Sequence, residues 1–179
     1  RDSRLTSAIW PTDVSLAGQR VDPERYAVIP RTLIFLTRPG QVLLQKVAAD
    51  RGAWAGMYNG LGGHIERGED PLRSARREVR EESGLEVESL RLRGVVMVDT
   101  GASPGIGLYV FTGDAPKAAV RAGAEGSLEW VDTTEALQRP LVEDLRALLP
   151  RLLGPDDGPP FSAVYTYDSG GRLHITFAA

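Results

Sequence analysis

From Val28 to Thr37 the chain is dominated by β-branched and aromatic residues, Pro39-Gly40 supplies a turn, and Gln41 to Val47 (QVLLQKV) repeats the apolar run. That pattern predicts a β-hairpin. Glycines at 52, 56, 60, 62 and 63 make the stretch from Arg51 to Gly63 read as a loop. The period then changes to a helical one, with Leu72, Ala75 and Val79 on one stripe. Asp70 can cap the free amides of this helix, Pro71 lacks only an amide that had no partner, and Gly84 offers a left-handed stop, so the helix is predicted over 71–83. Alternation resumes from Leu85 to Asp99 and from Gly107 to Thr112, with a short strand at Leu128 to Val131. Leu141, Leu145, Leu148, Leu149 and Leu152 share one face of a second predicted helix, Leu141 to Leu153. Phe161 to Tyr167 and Arg172 to Phe177 flank Asp168-Ser169-Gly170-Gly171 and predict a closing hairpin. Residues 1–27 show no period and read as an extension packed on one domain spanning 28–179.

Composition narrows the chemistry. The 179 residues carry 21 Lys plus Arg against 24 Asp plus Glu, a net charge of -3, which argues against tracking a nucleic-acid polymer. No apolar run approaches the roughly 20 residues of a membrane span, and no apolar signal core is visible. The expected setting is the cytoplasm, with no membrane partner. There is no cysteine and there are only two histidines, His64 and His174, so any metal chemistry must run on carboxylates.

Seven of the twelve glutamates lie between positions 66 and 88. On a helical wheel with Glu78 at zero, Glu82 falls at about 40° and Glu81 at about 300°, one arc roughly 100° wide beside the apolar stripe. Three carboxylates aimed together repel unless protons or cations neutralise them, and hard divalent ions with oxygen ligands, Mg²⁺ or Mn²⁺, suit that need. Taken alone, the three glutamates also fit a solvated helix laced with ion pairs such as Arg77 to Glu81. Their surroundings decide between these readings. Gly63, five residues, Glu69, seven residues, then Arg77-Glu78-Val79-Arg80-Glu81-Glu82-Ser83-Gly84-Leu85 reproduce the Nudix box without a departure.

The sequence therefore resembles the Nudix hydrolases, which cleave a diphosphate linked to another moiety. The resemblance implies an α/β fold, the Nudix α/β/α sandwich with a mixed β-sheet between helices. It implies that Glu78, Glu81 and Glu82, with the Gly63 carbonyl, hold Mg²⁺ (or Mn²⁺), and that Glu78 or Glu82 serves as general base. Arg77 is expected to orient Glu81, and Glu69 to brace the loop or join the metal site through water. Glu125 occupies the place of an extra loop carboxylate that many relatives carry.

The segment Met57-Tyr58-Asn59-Gly60-Leu61-Gly62-Gly63-His64 is similar to the base-reading segment of oxidised-purine triphosphatases and of MutT-like proteins, which makes Asn59 the candidate for reading a purine edge. Glu143 and Asp144 lie where those relatives place paired acids that bind the base, and His64 stands where they often carry a lysine that reaches a phosphate. The expected function is hydrolysis of a nucleoside triphosphate, 8-oxo-dGTP-like, to monophosphate and pyrophosphate. Its rivals are ADP-ribose or a nucleotide sugar as substrate, and a nucleotide-sensing module without turnover. The expected partner is a small nucleotide; the oligomeric state, a homodimer included, stays open.

Overall fold

A computed structural model of the chain describes residues 22, 24–50, 52–121, 126–155 and 158–178. Eight strands and two α-helices follow in the order β1 (Val28–Arg38), β2 (Gln41–Val47), β3 (Tyr58–Asn59), α1 (Pro71–Ser83), β4 (Arg91–Val98), β5 (Gly105–Asp114), β6 (Gly126–Asp132), α2 (Leu145–Leu152), β7 (Phe161–Tyr167) and β8 (Leu173–Phe177). Short 3-10 turns occupy Gly52–Trp54 and Ala136–Gln138. The extension predicted over 1–27 lies almost wholly outside the described residues.

The strands form one open, mixed sheet in the order β3-β2-β1-β5-β4-β7-β8, with β6 on β2. The β1–β5 and β4–β7 pairs are parallel and the remaining ladders antiparallel. Strand alternation sends side chains to both faces, and each face is closed by one helix. On one side Ile34, Leu36, Leu43, Leu61 and Phe111 pack with Ala75, Val79 and Leu85 of α1 and its exit. On the other Leu33, Phe35, Val42, Leu44, Val96 and Val110 pack with Leu145, Leu148, Leu149 and Leu152 of α2. This is the expected α/β/α sandwich.

Helix α1 has the predicted ends. Asp70 accepts hydrogen bonds from the Leu72 and Arg73 amides at 2.9 and 3.0 Å, and Gly84 closes the helix at φ 70°. The other boundaries shift for physical reasons. The strand expected from Leu85 begins only at Arg91, because Leu85 and Leu90 are buried against the α1 side of the core from a connecting loop. The helix expected from Leu141 begins at Leu145, because the preceding residues are drawn into a ladder with β3: the Tyr58 amide donates to the Pro140 carbonyl at 2.8 Å and the Val142 amide to the Tyr58 carbonyl at 3.0 Å.

The hairpin of β1 and β2 is the departure that matters most. The two strands pair only at the turn, through Thr37 with Val42 and Arg38 with Gln41. Below it they part, and the glycine-rich stretch read as a plain loop is wedged between them. Tyr58 and Asn59 pair with Lys46 and Gln45 of β2. Leu61 and Ile34 then exchange both backbone hydrogen bonds (2.7 and 3.0 Å), and the Thr32 amide donates to the Gly63 carbonyl at 2.9 Å.

Candidate active site

The wedge carries Gly62 and Gly63 directly over the acidic side of α1. Gly62, at φ 139°, lies so close to β1 that a Cβ there would come within 2.1 Å of the Thr32 carbonyl oxygen. Only a glycine fits such a contact. A Cβ on Gly63 would stand 2.5 Å from a carboxylate oxygen of Glu78, so this backbone and that carboxylate touch face to face.

Three of the four motif acids are gathered by one guanidinium. Arg77 Nε and Nη2 donate to the two oxygens of Glu69 at 2.9 Å each, and Nη1 donates to Glu78 Oε1 at 2.7 Å and to Glu81 Oε2 at 3.2 Å. Nη2 also reaches the His64 carbonyl at 3.0 Å and Ser74 Oγ at 3.2 Å, so the same side chain ties α1 to the wedge. The expectation that Arg77 orients Glu81 therefore covers the weakest of its acid contacts. Its strongest partner is Glu69, held by a planar fork that matches a carboxylate. That fork, with the Glu66 amide on the same carboxyl, lowers the Glu69 pKa to about 2, and the Glu69 and Glu78 bonds raise that of Arg77.

Glu82 turns away from Arg77. Its side chain accepts the Gly62 amide at 2.8 Å and the Gln45 side-chain amide at 3.3 Å, and the residue is only 6 % exposed. Glu78 is 12 % exposed and Glu81 55 %. As placed, the predicted arc is thus split into two directions, and no three acidic or histidine side chains among the described residues converge on a single point. The donor set nevertheless suits a hard dication: three carboxylates (Glu69, Glu78, Glu81) gather on one arginine, Glu82 lies under the Gly62 amide, and the exposed Glu81 can swing at the cost of one 3.2 Å bond. The Gly63 carbonyl, expected as a ligand, has one lone pair engaged by the Thr32 amide. Glu125 lies outside the described residues.

The expected base-reading residues fall in two places. Asn59 stands opposite Gln45 on β2, and its side-chain oxygen accepts the Gly60 amide at 2.8 Å, leaving its NH₂ donor outside that bond. Glu143 and Asp144 form the turn that enters α2, one and two residues beyond the rung that joins Val142 to Tyr58. Burial, the main cause, and the adjacent Glu143 raise the Asp144 pKa to about 6. His64 is exposed, and its Nε2 accepts from Arg31 at 3.1 and 2.8 Å, which implies the tautomer with its proton on Nδ1. Sequence reasoning missed Gln45, Thr32, Ser74 and Arg31. Of these only Gln45 had a visible signal, as a polar residue at the position where strand alternation continues the inward-facing Leu43.

Comparison with known proteins shows the family and the fold. The NUDIX domain family model matches residues 28–152, so the chain belongs to the Nudix family. It is 34 % identical over 102 residues to the oxidized purine nucleoside triphosphate hydrolase of Danio rerio, a match covering 56 % of this chain and 64 % of that protein. To the enzyme of the same name from Mus musculus it is 37 % identical over 84 residues, 46 % of this chain and 53 % of that protein. The chain thus spans less than two thirds of either relative. The MutT protein of Bacillus halodurans superposes with a TM-score of 0.67 at 24 % identity, covering 84 % of this chain and 97 % of that one, which shows the shared fold.

Proposed function

We propose that the chain is a divalent-metal-dependent hydrolase that splits a nucleoside triphosphate into monophosphate and pyrophosphate, with oxidised purines such as 8-oxo-dGTP as the favoured class. The observation that carries this reading is the complete set of motif acids disposed around Arg77 and the Gly62-Gly63 wedge. The similarity to oxidized purine nucleoside triphosphate hydrolases supports the choice of substrate.

In this reading Glu78, Glu81 and Glu82 supply oxygens to Mg²⁺, with Mn²⁺ as a substitute. When bound, such an ion offsets phosphate charge and makes its water a stronger nucleophile. Arg77 and Glu69 keep α1 locked to the wedge, so that the acids and the glycine backbone meet the diphosphate in fixed register. Glu78 and Glu82, both shielded, are the two candidates for accepting the proton of the attacking water. His64, with Arg31 behind it, faces solvent beside Gly63 and offers positive or donor groups to a phosphate. Asn59 and the Glu143–Asp144 pair contact the base.

The test is a panel of 8-oxo-dGTP, dGTP, other deoxynucleoside triphosphates, ADP-ribose and nucleotide sugars with Mg²⁺ or Mn²⁺, with products separated by chromatography. The expected result is conversion of the oxidised purine to monophosphate and pyrophosphate. Glu82→Gln is expected to lower kcat by on the order of 100-fold or more, the scale of losing one group that stabilises transition-state charge. Turnover of ADP-ribose or a sugar nucleotide alone overturns the substrate, and a fully active Glu82→Gln overturns the metal-site assignment. Tight nucleotide binding with no turnover of any substrate would make the chain a sensing module.

A further inference from the structure

Strand β7 alternates in the usual way, with Ala163 and Tyr165 turned into the α2 side of the core and Ser162, Val164 and Thr166 turned to solvent. Tyr165 lies between Val98 of β4 and Ile175 of β8 and is 2 % exposed. Its hydroxyl is the one buried side-chain polar atom among the described residues that finds no hydrogen-bond partner. A dry hydroxyl without a well-formed hydrogen bond is costly, and a phenylalanine would fill the same space without that cost. Packing alone therefore does not account for a tyrosine here.

The polar group that the hydroxyl meets is the Asp144 carboxyl, whose negative charge, after burial itself, raises the Tyr165 pKa. Asp144 stands at the cap position of α2 yet makes no capping bond to its first turn, in contrast to Asp70 at the start of α1. The buried hydroxyl thus adjoins a carboxyl whose charged form is favoured by the Asp144 and Leu145 amides and by the Tyr165 hydroxyl itself. Glu143 and the half-exposed Tyr167 belong to the same cluster: burial and then the charges of Asp144 and Glu143 raise the Tyr167 pKa.

We propose that Tyr165 is a positioning residue for base recognition: its buried hydroxyl donates to one oxygen of Asp144 and so aims the other at the edge of the bound purine. The proposal rests on the reading of Asp144 as a base-contacting acid. Tyr165 itself touches no substrate, since its hydroxyl is sealed from the surface. Burial and the Glu143 charge oppose ionisation of Asp144, whereas the Asp144 and Leu145 amides and the Tyr165 hydroxyl favour it, and their balance sets the pH at which Asp144 changes from acceptor to donor.

The experiment uses Tyr165→Phe, Asp144→Asn and the double variant in the full chain. For Tyr165→Phe the Asp144 carboxyl, followed by carbon NMR without substrate, is expected to titrate above the parent value. KM for 8-oxo-dGTP is expected to rise roughly 3- to 10-fold, with kcat changing less than about twofold, the effect of one lost hydrogen bond. A single cooperative melt with no more than a few degrees lost at neutral pH separates this outcome from misfolding. In the double variant the two effects on KM should fall short of the product of the single ones. An unchanged Asp144 titration with unchanged KM overturns the role of Tyr165 and leaves base reading by Asp144 standing. If instead Asp144→Asn keeps the full preference for 8-oxo-dGTP over dGTP, base reading by Asp144 is overturned, and the recognition role of Tyr165 with it.

Discussion

Gly62 and Gly63 are neighbours with opposite obligations. At Gly62 a side chain would meet the Thr32 carbonyl of β1, a backbone atom that cannot retreat without opening the sheet. At Gly63 it would meet the far end of the Glu78 side chain, which can move. Gly62→Ala is therefore expected to destabilise the protein by about 3 kcal/mol or more, on the scale of other severe backbone defects. Gly63→Ala should cost less than about 1 kcal/mol and yet remove most of the activity, because Glu78 is pushed off its place. Urea melts and initial rates on the two variants check this, and equal losses of stability would contradict it. Both glycines were legible in the sequence as part of a motif, but their separate duties were not. The closeness of β1 is a tertiary fact with no trace in local spacing. Tyr165 was likewise unreadable, because an alternating strand needs only a large inward side chain there and the hydroxyl acquires meaning only beside Asp144.

Helix α1 was readable from end to end because its signals are local. A cap, a first-turn proline, an apolar stripe and a C-terminal glycine are all set by neighbours within the same thirteen-residue element and its flanks. The Asp70 carboxylate holds two first-turn amides, and Asp70→Ala is expected to cost about 1 kcal/mol. It should loosen the register of Arg77 and Glu78 against the wedge only slightly, so kcat/KM falls much less than for the glycine pair. A melt and a rate measurement suffice. Helix α2 was misjudged at its start for the converse reason. Leu141 fits the leucine stripe by spacing and is buried as that stripe requires, but its burial comes from a ladder with Tyr58. Periodicity cannot tell these two ways of burying a leucine apart. The glycine-rich stretch hid a strand in the same manner, since Tyr58 and Asn59 are held by partners far away in the sequence.

Across the molecule two acids push stability in opposite directions as pH changes. Glu69 is held below its ordinary pKa by Arg77, so its contribution is present above the unfolded value of 4.5 and is lost as pH falls toward about 2. Asp144 is raised to about 6 from an unfolded value of 3.8, so the fold prefers it protonated. Stability from this residue is full below the unfolded value and declines as pH rises through about 6. Asp144→Asn removes the cost of a buried charge and is expected to stabilise the protein at pH 8 by on the order of 1–3 kcal/mol, with little effect at pH 4. Urea denaturation at the two pH values is the measurement. The same substitution is expected to weaken selection of the oxidised base, so this acid would be kept for recognition at the expense of stability.

The wedge between β1 and β2 also governs where this chain tolerates changes of length. Residues 48–50, 52–56 and 66–68 are joined to the sheet by few backbone bonds, and extra residues beside them would extend an exposed bend. From Tyr58 to Gly63 the stretch, β3 and the four residues after it, is bonded to β2, to the segment before α2 and to β1 within six positions. One inserted residue there would turn Leu61 out of the core and carry Gly62 and Gly63 away from Glu82 and Glu78 together. Variation in loop length is thus confined to the two bends, while the backbone that faces the acids keeps a fixed count.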